Sequence, residues 1–129
     1  MAFCYYLRIN ADNKVCGLSP SSEYVDLAAE VFRLLSDPTR IKIILALRAA
    51  EELSVNSLAE IVDKKPSGVS QHLARMRMAR IVTTRHEGTS VRYRLTDEHA
   101  LALVIEAVKQ AEHATANGQT PRHHHSPAE

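Results

Sequence analysis

Apolar residues recur with a helical period from Tyr24 onward: Tyr24, Leu27, Ala28, Val31, Phe32, Leu34 and Leu35 fall on one face. Asp37-Pro38 closes that run and opens another, since aspartate caps a helix and proline suits its first position. The second helix, about Thr39 to Ala49, is expected to bury Ile41, Ile44, Leu45 and Leu47 and to leave Arg40, Lys42 and Arg48 in solvent. A short third helix offers Leu58, Ile61 and Val62 to the core. Asp63-Lys64-Lys65 then makes a tight turn, and a fourth helix starts near Pro66-Ser67 with Val69, Leu73 and Met76 as its stripe. Two short helices joined by such a turn form a helix-turn-helix.

After Ile81 the period changes to two. Val82 to Arg85 and Val91 to Leu95 read as strands, with His86-Glu87-Gly88-Thr89-Ser90 as the turn. A hairpin directly after a helix-turn-helix is a wing. Thr96 is placed to cap a final helix, with Asp97 and Glu98 in its first turn. Leu101, Val104, Ile105 and Val108 stripe that helix at i, i+3, i+4, i+7. The expected fold is mainly α with a small β-hairpin, a winged helix-turn-helix in the order α-α-α-α-β-β-α. The last apolar stripe has nothing left in the chain to cover, which calls for a homodimer built through the N-terminal and C-terminal helices. A flexible arm is expected over residues 1–22, with a short strand at Tyr5 to Ile9. The winged helix-turn-helix is expected over 23–114 and a flexible tail over 115–129.

The chain of 129 residues fits one small domain. Its net charge of +1 hides an asymmetry. Lys64, Lys65, Arg75, Arg77, Arg80, Arg85, Arg92 and Arg94 face only Glu87 within their stretch, whereas Asp97, Glu98, Glu106 and Glu112 then face only Lys109. The basic block suits phosphate contact and the acidic block suits cations. Ser67, Ser70, Gln71, His72 and Arg75 on the exposed face of the fourth helix suit base edges in a major groove, because the N-terminal end of such a helix meets them. Arg85, His86 and Arg92 on the hairpin suit the backbone or minor groove. Double-stranded operator DNA is therefore the expected partner.

No apolar stretch approaches the ~20 residues of a membrane span. The first 22 residues do not read as an export signal, and Cys4 and Cys16 do not form a disulfide framework, so a cytoplasmic location is expected. No nucleophile motif or substrate site can be read, so an enzyme is not expected. Six of the seven histidines lie from His86 to His125, beside the acidic block. This concentration points to a metal effector.

Leu35-Ser36-Asp37-Pro38-Thr39-Arg40, Ser67-Gly68-Val69-Ser70-Gln71-His72-Leu73 and the hairpin ending in Tyr93-Arg94-Leu95 resemble the ArsR/SmtB family of winged-helix repressors over about residues 24–114. The resemblance implies a cytoplasmic homodimer that leaves its operator when metal binds. The family's arsenic, cadmium and lead sensors place Cys-x-Cys where Ser54 and Asn56 stand here, so that thiolate site is absent. Its zinc, cobalt and nickel sensors use Asp-x-His and two further ligands on the final helix. Asp97, His99 and His113 match that pattern, but Gln110 replaces the middle histidine. Met78 to Arg80, Glu98-His99, Ala111-Glu112-His113 and Pro121-Arg122-His123-His124 resemble nickel- and cobalt-sensing members, which implies His99, Glu112, His113, His123 and His124 as ligands. His125 is an alternative to its neighbours.

His113 lies fourteen residues after His99, about 21 Å along a helix, so one ion cannot bridge them in one chain. The same spacing returns to within about 40° of the starting face. Two antiparallel copies would bring His99 of one beside Glu112-His113 of the other. Nitrogen and oxygen ligands in this number favour nickel(II) or cobalt(II) as effector, with zinc(II) the alternative ion. The competing reading keeps the fold and replaces the metal by a redox signal at Cys4 and Cys16.

Overall fold

The computed structural model describes residues 18–115. The strand expected at Tyr5 to Ile9, both cysteines and His123, His124 and His125 lie outside the described residues. Of these, the residues up to Ser36 and those from Asp37 onward form two compact units.

The first unit carries α1, Val25–Leu35. It has the expected apolar stripe, yet Tyr24, Leu27, Val31 and Phe32 are exposed in the single chain. A helix with a strong apolar face that stays in solvent has an unmet need for a partner surface.

The second unit opens with α2, Pro38–Ala49. The Asp37 carboxylate caps it, accepting from the backbone N–H of Thr39 at 2.8 Å and of Arg40 at 3.2 Å. Partial burial works to raise the Asp37 pKa, but those two N–H donors, helped by the charge of Arg40, hold it below its ordinary value of 3.8. The buried face of α2 is Arg40, Ile43, Ile44, Ala46 and Leu47. Two expectations are corrected here. Ile41 and Leu45 are only half-buried, and Arg40, expected in solvent, is 7% exposed. The helical period explains it: positions 40, 43, 44 and 47 share one face, with the arginine at its head.

Ser54 caps α3, Val55–Val62, by accepting from the Ser57 N–H at 3.2 Å. Leu58, Ala59 and Val62 are its buried residues, whereas Ile61, expected in the core, is 57% exposed. Asp63 takes a left-handed conformation at the end of α3, and the Lys64 N–H closes back on the Ala59 carbonyl at 3.1 Å. That reversal starts α4, Pro66–Met78, whose Val69, Leu73 and Met76 are buried as expected.

Strands β1, Val82–Glu87, and β2, Ser90–Leu95, pair antiparallel with Glu87 opposite Ser90. The turn is therefore two residues, Gly88-Thr89, and not the five expected. Gly88 has φ +60, the positive value that two-residue hairpin turns need. Leu53 adds a bridge to Tyr93, each N–H meeting the other's carbonyl at 2.9–3.0 Å. Finally α5 runs His99–Thr115. Asp97, not Thr96, serves its start, accepting from the His99 N–H at 2.9 Å, so Asp97 and Glu98 precede the first turn. Helix α2 packs against α3, α4, α5 and β2.

Leu73 is fully buried on α4. Leu73→Ala should lower the unfolding free energy by about 2–5 kcal/mol, read from the urea midpoint at unchanged slope. Asp37→Ala should cost about 1 kcal/mol at neutral pH through the lost cap. Because the folded pKa of Asp37 is depressed, its contribution is complete above the unfolded value of 3.8 and disappears as pH falls through the lower folded value. The stability gap between wild type and variant should thus close on acidification, and an unchanged gap at pH 2.5 would contradict this account.

Candidate nucleic-acid interface and metal-ligand set

Helix α4 brings five of the expected DNA-reading residues onto one element. Ser67, Ser70, Gln71 and Arg75 are exposed, and no acidic residue occurs on the helix. Its N-terminal residue Pro66 has no N–H, and Lys65 ahead of it gives no side-chain cap. The first-turn amides are thereby left for an outside acceptor, which suits a phosphate. Gly68 sits in this turn, and a Cβ there would meet nothing within 4 Å. Neither packing nor backbone conformation demands glycine at that place.

His72 differs from its neighbours. It is half-buried, and its Nδ1 accepts a hydrogen bond from Arg40 Nε at 3.1 Å. Sequence reasoning missed Arg40 as part of this surface. The signal was its place on the buried face of α2, where a charge persists only with a hydrogen-bonding partner.

The hairpin residues are organised by ion pairs. Arg85 grips Glu52 with two nitrogens, Nε at 2.9 Å and Nη2 at 2.7 Å, and Nη2 also reaches Glu87 at 3.3 Å. The Arg92 Nε lies 3.7 Å from the same Glu87 carboxylate. The guanidinium of Arg85 hydrogen-bonded to it holds the Glu52 carboxyl below the usual carboxylate range, and Glu52 in turn raises the Arg85 pKa still further. Glu52 is the second residue missed from sequence, because it lies 33 positions from Arg85 and outside both patterns that defined the wing. His86 is exposed on β1.

The expected metal ligands on α5 stay apart. His99 is its first residue and is exposed, and Glu112 and His113 lie in its last turn, half-buried and exposed respectively. Among the described residues no group of three or more histidine, cysteine, aspartate or glutamate side chains is close enough to hold an ion. Glu112 borders a cleft of about 380 Å³ between α2 and α5, with Leu45, Arg48, Ile105, Val108 and Lys109. On α5 itself, Ala100 and Val104 are buried, while Leu103 and Val108 remain exposed. No described helix is long and apolar enough to cross a membrane.

The model of the arsR family of bacterial regulatory proteins matches residues 37–84, from the cap of α2 into β1. The chain is 53% identical over 102 residues to the HTH-type transcriptional regulator KmtR of Mycobacterium tuberculosis, covering 79% of this chain and 76% of that protein. It is 38% identical over 92 residues to the HTH-type transcriptional repressor SmtB of the same organism, covering 71% of this chain and 67% of that one. Among solved structures, the antimony-specific transcriptional repressor AntR superposes with a TM-score of 0.65 at 28% identity, over 78% of this chain and 98% of that chain. A winged helix-turn-helix with an acid-free helix face, matched at this level over most of its length, is a DNA-binding regulator and not an enzyme: the chain belongs to the ArsR family.

Proposed function

We propose that the chain is a metal-responsive transcriptional repressor. It acts in the cytoplasm as a homodimer, holds operator DNA when metal-free and releases it when nickel or cobalt binds. The acid-free face of α4, flanked by a braced hairpin, is the observation that carries the DNA half of this reading. Ser67, Ser70, Gln71, His72 and Arg75 enter a major groove, with His86 and Arg92 of the wing near the backbone and Arg85 bracing it from Glu52. Two such helices in a dimer address half-sites about 34 Å apart. The exposed apolar faces of α1 and α5 supply the area that pairing needs.

The metal half rests on the donor set. His99, Glu112 and His113 are nitrogen and oxygen donors at opposite ends of one helix, so each pair of half-sets is completed only by a second copy. His123 and His124 would fill the shell from the tail. Such a set without sulfur suits the six-coordinate preference of nickel(II) and cobalt(II) better than zinc's usual four. Tying His99 of one protomer to Glu112-His113 of the other favours a dimer geometry whose recognition helices no longer match the operator. By linkage, metal weakens DNA binding by the factor with which DNA weakens metal binding.

His99→Ala and His113→Ala should each bind a duplex selected in vitro with wild-type affinity. Neither should release it on addition of cobalt or nickel, as followed by fluorescence anisotropy. Release at wild-type metal concentrations by either variant would remove that residue from the site. Gly68 gives a separate test of the DNA face. Glycine in a helix costs roughly 0.5–1 kcal/mol relative to alanine, and the open space at Gly68 fits close approach of the DNA backbone. Gly68→Ala should therefore raise thermal stability by about that amount while weakening duplex binding; a variant that is more stable and binds equally well would place Gly68 outside the interface.

A further inference from the structure

Arg40 is a charged side chain on the inner face of α2, sharing that face with Ile43, Ile44 and Leu47 and 7% exposed. Removing a guanidinium from water is costly unless its donors are satisfied. One of them, Nε, is satisfied by His72 Nδ1 on the recognition helix at 3.1 Å. A guanidinium has only donors and keeps its proton at any ordinary pH. The imidazole nitrogen facing it must therefore be the acceptor, and an acceptor nitrogen carries no hydrogen. That fixes the ring as neutral, with its single proton on Nε2. Nε2 meets no described hydrogen-bonding partner and is not sealed from solvent. Asp37, one turn before Arg40, supplies the nearby negative charge that balances the guanidinium.

We propose that Arg40 is a positioning residue for DNA recognition: it locks His72 as the Nε2–H tautomer and so presents a fixed, uncharged hydrogen-bond donor on the face of α4 that meets DNA. The inference rests on the reading of α4 as the recognition helix. It assigns His72 a role unlike that of Arg75 on the same helix. Arg75 adds positive charge and thus salt-sensitive, sequence-blind attraction, whereas a neutral donor with one orientation contributes geometry. It also gives the buried charge on α2 a purpose beyond the core, because its cost is met by a partner on the functional surface.

The test uses the full-length protein labelled with nitrogen-15 at histidine. Two-bond nitrogen–proton correlations at pH 7.5 should show His72 of the wild type almost wholly as the Nε2–H tautomer. Arg40→Lys, which keeps the charge but lacks Nε–H, should show a mixture of tautomers. His72→Asn keeps an acceptor near the Nδ1 position but has no donor at Nε2; it should remain folded and lose about tenfold in affinity for a duplex selected in vitro, the size of one hydrogen bond to a charged group. Arg40→Lys should lose affinity in the same direction while the circular dichroism spectrum stays native.

A wild-type His72 protonated on Nδ1, or on both nitrogens, overturns the lock, and this arm needs no variant to fold. The expected tautomer with wild-type DNA affinity in His72→Asn overturns the role in recognition while leaving the DNA-binding reading intact. A wild-type protein that selects no duplex at all overturns that reading instead, and the tautomer measurement still decides the Arg40–His72 pairing.

Discussion

The burial of α2 is the constraint on which the second unit depends. Ile43 and Ile44 are wholly excluded from solvent and Leu47 nearly so, and α3, α4, α5 and β2 all pack against this one helix. A helix covered on that many sides fixes the angles at which the others can approach, because interiors are close-packed and tolerate little adjustment. Asp37 sets where α2 begins, and from that cap the helical period decides which residues point inward. Arg40 is one of them. Its charge needs partners, and one of them lies on α4, so the packing that builds the core also orients the helix proposed to read DNA.

The hairpin is placed by different means. A two-residue turn with Gly88 at positive φ sets the register, and the Leu53–Tyr93 bridge ties β2 to the segment just ahead of α3. Glu52, the residue before Leu53, holds Arg85 from β1 through a two-pronged ion pair. An exposed ion pair adds little to stability, but the paired geometry adds direction. The wing is thus anchored to the start of the helix-turn-helix at two adjacent residues, and its basic side chains keep a defined place relative to α4.

At the other end of the chain, distance is what decides. Helix α5 keeps His99 and His113 at opposite ends, and no side chain is long enough to bring them to one ion. The exposed apolar residues on α5 and α1 ask for a partner surface. A second copy answers both needs together, which is why the proposed metal response and the dimer are one hypothesis and not two.

Much of this was legible along the chain. The Asp37-Pro38 boundary, the Val69, Leu73 and Met76 stripe, the change to period two after Ile81 and the acid-free face of α4 are all local patterns, and local patterns reflect the backbone period that produces them. Where the reading failed, the deciding partner was remote. Arg40 looks like any solvated cation until packing puts its face inward, and Ile61 looks like core until α3 turns Ala59 inward instead. The hairpin turn shortened because strand pairing extended to Glu87 and Ser90, which only the opposing strand can decide. Sequence by itself determined the order of elements, the helix starts marked by Asp37-Pro38 and Pro66, and the identities of the groups available for DNA and metal. Tertiary structure alone decided that Arg40 meets His72 and that Glu52 holds Arg85, because those contacts join residues more than thirty positions apart and depend on the angles at which packed helices and strands cross.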